Sequence, residues 1–131
     1  MHLTDSTQLY SCLYDSTICI WNFQDYGTSD ALPTTSGLST GIHSIQYLHS
    51  RQHVVSGSED GTVHVWDVGT GKLVCGPLRG HKEVVALVDY SPNNQYIASG
   101  SWDRTLQLRD ATTGNNIHGP MCGHSYSVNC V

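Results

Sequence analysis

The sequence repeats itself, and the repeat constrains the fold more than any other feature. Slid by 43 positions, Asp60 falls on Asp103, and the register holds on both sides of that pair. Ser56-Gly57-Ser58 falls on Ser99-Gly100-Ser101, Thr62 on Thr105, and Asp67 on Asp110. Thr70-Gly71 falls on Thr113-Gly114, Gly76-Pro77 on Gly119-Pro120, and Gly80-His81 on Gly123-His124. A weaker third copy stands in front, where Asp15 precedes Trp21 by the same six residues that separate Asp60 from Trp66. A repeat of this length is one supersecondary unit that buries its apolar face only by stacking on its neighbours.

Each copy has the same internal grammar. Thr62-Val63-His64-Val65-Trp66, Thr105-Leu106-Gln107-Leu108 and Thr17-Ile18-Cys19-Ile20-Trp21 alternate apolar with other side chains, as half-buried strands do. A short apolar run precedes each: Leu9–Cys12, His53–Ser56 and Tyr96–Ser99. Asp60-Gly61 between two such runs is a tight hairpin, since glycine accepts positive φ. Ser91-Pro92-Asn93-Asn94, Gly69-Thr70-Gly71 and Thr112-Thr113-Gly114 supply further turns. Each period therefore predicts four short strands and no helix.

Gly-His followed by Ser-Gly-Ser-x-Asp and then Trp-Asp, in one register, resembles the WD40 repeat of β-propellers. The spelling Thr-Thr-Gly-Asn, Gly-Pro and Ser-Trp-Asp-Arg-Thr is similar to long WD40 arrays of some fungal proteins. The resemblance implies an all-β chain of about three four-stranded antiparallel blades in an incomplete ring. It also implies a hydrogen-bonded relay in each blade, running from a hairpin Asp through a loop His and a strand Ser to a strand Trp. Carried over, the relay positions are Ser11, Asp15 and Trp21 in front, Ser56, Asp60 and Trp66 next, then His81, Ser99 and Asp103. His124 opens a fourth copy.

Two departures from the family pattern stand out. Leu38 holds the His position of the second relay, and Arg109 holds the Trp position of the third. The stem of Arg109 fills part of the Trp volume, and its guanidinium either pairs with Asp103 or snorkels outward. His81, Ser99 and Asp103 also form a Ser–His–Asp set. However, the Ser lies inside a strand without a Gly-x-Ser-x-Gly elbow, and the set recurs from copy to copy, which suits a scaffold and not an enzyme. No phosphate loop or metal motif appears, and no cofactor is expected.

The charge pattern narrows the partners. Six Lys and Arg are scattered singly against eleven Asp and Glu, so no basic cluster suits nucleic acid. No apolar run suits a membrane span, and the first residues lack the n- and h-regions of a secretory signal, so the expected compartment is the cytoplasm, with the nucleus as alternative. Cys12, Cys19, Cys75, Cys122 and Cys130 are odd in number without a Cys-x-x-Cys pair, and read as buried small hydrophobes.

Residues 1–131 read as one partial propeller with copies at about 8–38, 42–79 and 84–121, and residues 126–131 as the first strand of a further blade. The front copy reads as lacking its innermost strand. Closed propellers have about four to eight blades. The expectation is thus a piece of a longer array, or a chain that self-associates through open blade faces. WD40 rings commonly close by joining the two chain ends in one sheet. Ser125–Val131 is therefore expected to pair with the sheet holding Leu9–Cys12, within one chain or, preferably, between two.

The function implied is a non-catalytic protein–protein interaction scaffold. The alternative is a propeller region attached to an enzymatic or nucleotide-binding domain in a longer parent. Partner recognition in the family uses the end shared by the hairpins and the loops before the innermost strands. Tyr14, Glu59 and Trp102, with Lys82, Glu83, Ser125 and Tyr126, are the candidates there. Tyr14 and Trp102 are the sharpest, since aromatic anchors dominate interface energetics.

Overall fold

Alternating apolar residues between turn-marked boundaries fold as antiparallel hairpins, because each turn returns the chain alongside the strand it has just left. The computed structural model describes residues 2–4, 8–12, 18–22, 29–32, 40–48 and 52–131. They form twelve strands and, among the described residues, no helix. The strands are β1 (His2–Thr4), β2 (Gln8–Cys12), β3 (Ile18–Asn22), β4 (Ser29–Leu32), β5 (Ile42–Leu48), β6 (His53–Ser58), β7 (Val63–Asp67), β8 (Leu73–Leu78), β9 (Val85–Tyr90), β10 (Tyr96–Ser101), β11 (Thr105–Asp110) and β12 (Asn116–Cys122). They build three four-stranded sheets, β1–β4, β5–β8 and β9–β12, each a meander of sequence neighbours. All pairings are antiparallel.

The periodicity appears as register. Val54 pairs with Trp66, Leu9 with Trp21, and Ile97 with Arg109, so the three sheets share one frame. Apolar residues lie on both faces of the second sheet because it is covered from two sides. Ile18, Ile42, Ile45, Val54 and Trp66 fill the layer between the first and second sheets. Val55, Val63, Val65, Val85, Val88, Ile97 and Ala111 fill the layer between the second and third. The second and third sheets approach closely at Gly57, where a Cβ would stand 2.7 Å from Val85 Cγ1.

Three expectations are corrected. The front copy does have an innermost strand, since β1 pairs with β2 from Thr4↔Gln8 to His2↔Tyr10. β1 thus takes the sheet edge that Ser125–Val131 was expected to close within one chain. Residues 126–131 form no strand. The segment lies against the end of β10, fastened by Val128 N–H donating to Ser101 O at 3.0 Å. Finally, Cys75 is half-buried and Cys122 and Cys130 are exposed, not core residues, because β8 and β12 are edge strands and Cys130 follows them outside any sheet. The side chains of Cys12 and Cys19 lie outside the described residues.

Candidate functional site

The hairpin between β10 and β11 turns on Asp103, whose carboxylate gathers four donors. Oδ1 accepts from Thr105 N at 2.9 Å and Thr105 Oγ1 at 2.6 Å. Oδ2 accepts from Lys82 N at 2.9 Å and from His81 Nδ1 at 3.1 Å. With its Nδ1 proton directed at Asp103, the His81 ring leaves Nε2, 2.9 Å from Ser99 Oγ, to accept from that hydroxyl. Burial pushes the Asp103 carboxyl up, but the hydrogen bonds from Thr105, Lys82 and His81 outweigh it and hold it at about 2. Burial likewise pushes His81 below the ordinary histidine range, more than Asp103 raises it. The ring is therefore neutral near neutral pH.

The second sheet carries the other half of the relay. Trp66 Nε1 donates to Ser56 Oγ at 2.9 Å. Asp60 accepts from Thr62 N at 3.0 Å and from Thr62 Oγ1 at 2.5 Å, and it remains exposed. Leu38, Tyr14 and Asp15 lie outside the described residues, as do the side chains of Ser11 and Trp21. His124 is exposed on the segment after β12.

Arg109 neither pairs with Asp103 nor snorkels. Its side chain is turned inward and the residue is 5 % exposed. Nη1 donates to Gly114 O at 3.3 Å, and Nη2 to Gln107 Oε1 at 2.8 Å and to Arg79 O. Nε has no partner. Burial accordingly pulls the guanidinium below its usual range. Three carbonyl oxygens thus hold a buried cation where the second sheet has an indole. Sequence reasoning missed Gln107 and the carbonyl acceptors, because backbone oxygens leave no mark on a motif. Thr62 and Thr105 were legible as repeated Asp-x-Thr, but their role as carboxylate donors was not drawn.

The loops meet at one end of the sheets. Glu59 N–H donates to Gly41 O at 2.9 Å and Trp102 N–H to Val84 O at 3.0 Å. Ser101 Oγ donates to Glu83 O at 3.2 Å. These bonds, with that from Val128 to Ser101, bring Glu59, Lys82, Glu83 and Trp102 to the same end as the segment carrying Ser125 and Tyr126. Trp102 is 43 % exposed and Tyr126 84 %. One edge of Trp102 meets His43, ring centroids 5.8 Å apart and nearly perpendicular. A cavity of about 300 Å³ opens between β5 and β9, with His43 and Asp89 as its ionisable lining. Among the described residues no three metal-ligating side chains gather, and no helix could cross a membrane.

The family model described as "WD domain, G-beta repeat" matches residues 31–67 and 72–110, more than half of the chain. No curated protein matches the sequence. Among solved structures, the chain is similar to the computationally designed Ika4 protein, with 28% identity and a TM-score of 0.76 over 95% of this chain and 72% of that one. It is also similar to the computationally designed Ika8 protein, with 27% identity and a TM-score of 0.74 over 98% of this chain and 37% of that one. Repeated Asp-centred hairpins, four-stranded meanders stacked face to face and the family match converge: the chain belongs to the WD40 repeat family.

Proposed function

We propose that this chain is a non-catalytic protein–protein interaction scaffold, built from about three blades of an incomplete ring. The observation that carries this reading is the exposure of two large aromatics at the loop end, Trp102 at 43 % and Tyr126 at 84 %. An aromatic offered to solvent on a hairpin held by backbone hydrogen bonds gains area on binding with little entropy to lose. Glu59, Lys82 and Glu83 are exposed beside them and provide a polar rim.

Burial of the Ser–His–Asp set supports the non-catalytic part. Ser99 is 0 % exposed, so no substrate carbonyl reaches its hydroxyl despite the 2.9 Å contact with His81. The test is a pull-down comparing the natural chain with Trp102→Ala/Tyr126→Ala. Proteins retained by the first and lost by the second, at unchanged melting temperature, are the expected result. An identical set of retained proteins would sink the reading.

A further inference from the structure

The junction between the second and third sheets holds a charge that the fold leaves without a counter-ion. Arg109 stands there at the place where the second sheet carries Trp66, and it is 5 % exposed. Nη1 and Nη2 donate to oxygens of Gly114, Gln107 and Arg79, all of them neutral acceptors. Nε–H is buried with no acceptor. The carboxylate next to it in sequence, Asp110, is engaged by its own turn, where Oδ1 accepts from Thr112 N and Thr113 N at 2.8 Å each. A guanidinium kept out of water among neutral acceptors is stabilised by an anion brought close to it.

Cys75 is the group placed to become that anion. It pairs with Val65 in the second sheet and packs against the apolar layer shared with the third. Its thiol reaches the β11–β12 turn, where Sγ donates to Thr113 O at 3.7 Å. A Cβ on Gly114 would stand 2.5 Å from the sulfur, so glycine at this turn is what lets the sulfur come so near. Gly114 is also the residue whose carbonyl accepts from Arg109 Nη1. Thiol and guanidinium therefore converge on one residue. Negative charge at Cys75 pushes the guanidinium back up against the downward pull of burial. Because Cys75 is only half-buried, a small solute reaches the sulfur while the guanidinium stays covered.

We propose that Cys75 is a modification site for hydrogen peroxide, oxidised there to a sulfenic acid whose anion is held by the neighbouring guanidinium of Arg109. The thiolate sulfur attacks one peroxide oxygen. The S–O bond forms as the O–O bond breaks, and the departing hydroxide takes up the thiol's proton and leaves as water. Sulfur gives up an electron pair and the peroxide accepts it. Negative charge grows on oxygen during the transfer and remains on the sulfenate, and in both states it lies beside a cation that has no other counter-ion hydrogen-bonded to it. The exposed thiols lack this setting. Cys122 shares a groove with Lys82, but that ammonium is exposed and screened by water, and Cys130 lies outside any sheet. The proposal goes beyond the scaffold reading and uses none of its residues, so the pull-down and the test below fail separately.

The test treats the reduced full chain with hydrogen peroxide in the presence of dimedone, which traps sulfenic acids, and follows each labelled cysteine by peptide mass. Cys75 should be labelled about tenfold faster than Cys122 or Cys130, the scale that one neighbouring charge supports, although both of those are more exposed. Arg109→Met keeps the length of the side chain and removes its charge. Arg109→Trp places at that position the ring that the second sheet carries, so a folded chain without the cation is at hand whatever becomes of the first variant. In both, the excess at Cys75 should disappear while Cys122 and Cys130 are labelled as before, a pattern that general unfolding would not give. Labelling of Cys75 no faster than that of Cys122 and Cys130 in the natural chain, or an excess that survives in both variants, overturns the proposal.

Discussion

At the scale of single residues, Asp103 sets the acid stability of the third sheet. Its carboxyl sits at about 2 in the fold against 3.8 unfolded, so the unfolded chain binds the proton first as pH falls. The stabilisation is complete above the unfolded value, fades between 3.8 and about 2, and amounts to at most about 2 kcal/mol. His81 and His64 act earlier. Burial lowers both from 6.5, so acidification below that value already favours the unfolded chain. Thermal unfolding followed from pH 8 down to pH 2 should show both declines, and Asp103→Asn should lack the lower one. A wild-type melting temperature flat between pH 4 and 2 would contradict the assignment. Arg109 makes the opposite case. A buried cation with no carboxylate hydrogen-bonded to it, and an unpartnered Nε, costs stability that an apolar ring would not. Arg109→Trp should stabilise by about 1 kcal/mol, its indole reaching Ser99 as Trp66 reaches Ser56, read as a rise of a few degrees in melting temperature. A fall would show that the three carbonyl contacts outweigh the desolvation.

At the scale of elements, glycine in the second strand of a sheet sets how closely the next sheet packs. A Cβ on Gly57 meets Val85 Cγ1 at 2.7 Å and Val85 O at 3.0 Å. A β-branched side chain and a strand carbonyl both yield reluctantly. Gly57→Ala should therefore cost roughly 1–3 kcal/mol by overpacking. Gly100 faces Val128 and Val131 at 2.8 and 3.0 Å, yet these belong to a segment outside any sheet, which can shift. In the monomer Gly100→Ala should cost less than Gly57→Ala, as measured by denaturant midpoints. Equal costs would mean that residues 128–131 are held as firmly as β9. The hairpins show how far local sequence reaches. Asp-Gly at 60–61 announced its turn, and Gly61 takes φ +83. At the equivalent position Arg104 takes φ +70, a conformation the residue's chemistry gave no reason to expect, imposed by the strands on either side and by the Asp103 hydrogen bonds.

At the scale of the whole molecule, the chain is a stack, with its apolar core in layers between sheets instead of at one centre. That much follows from the sequence, because a periodic hydrophobic pattern and periodic turn residues act over a few neighbouring positions. Four strands per period and hairpins at Asp60 and Asp103 were legible for this reason, whereas the partners Ser56–Trp66 and His81–Ser99–Asp103 came only from the resemblance to the WD40 repeat. Other features depend on residues far apart in the chain. The inward turn of Arg109 depends on the carbonyls of Gly114 and Arg79 being brought around it. The exposure of Cys122 and Cys130 depends on which strands become edges, and the place of β1 depends on which edge of β2 was free. The edge-on contact of His43 with Trp102 joins two sheets that meet only after folding. Local periodicity determines what each segment is; which faces are covered, and which are left open, is decided only when the sheets stack, because burial is a property of the neighbour as much as of the residue.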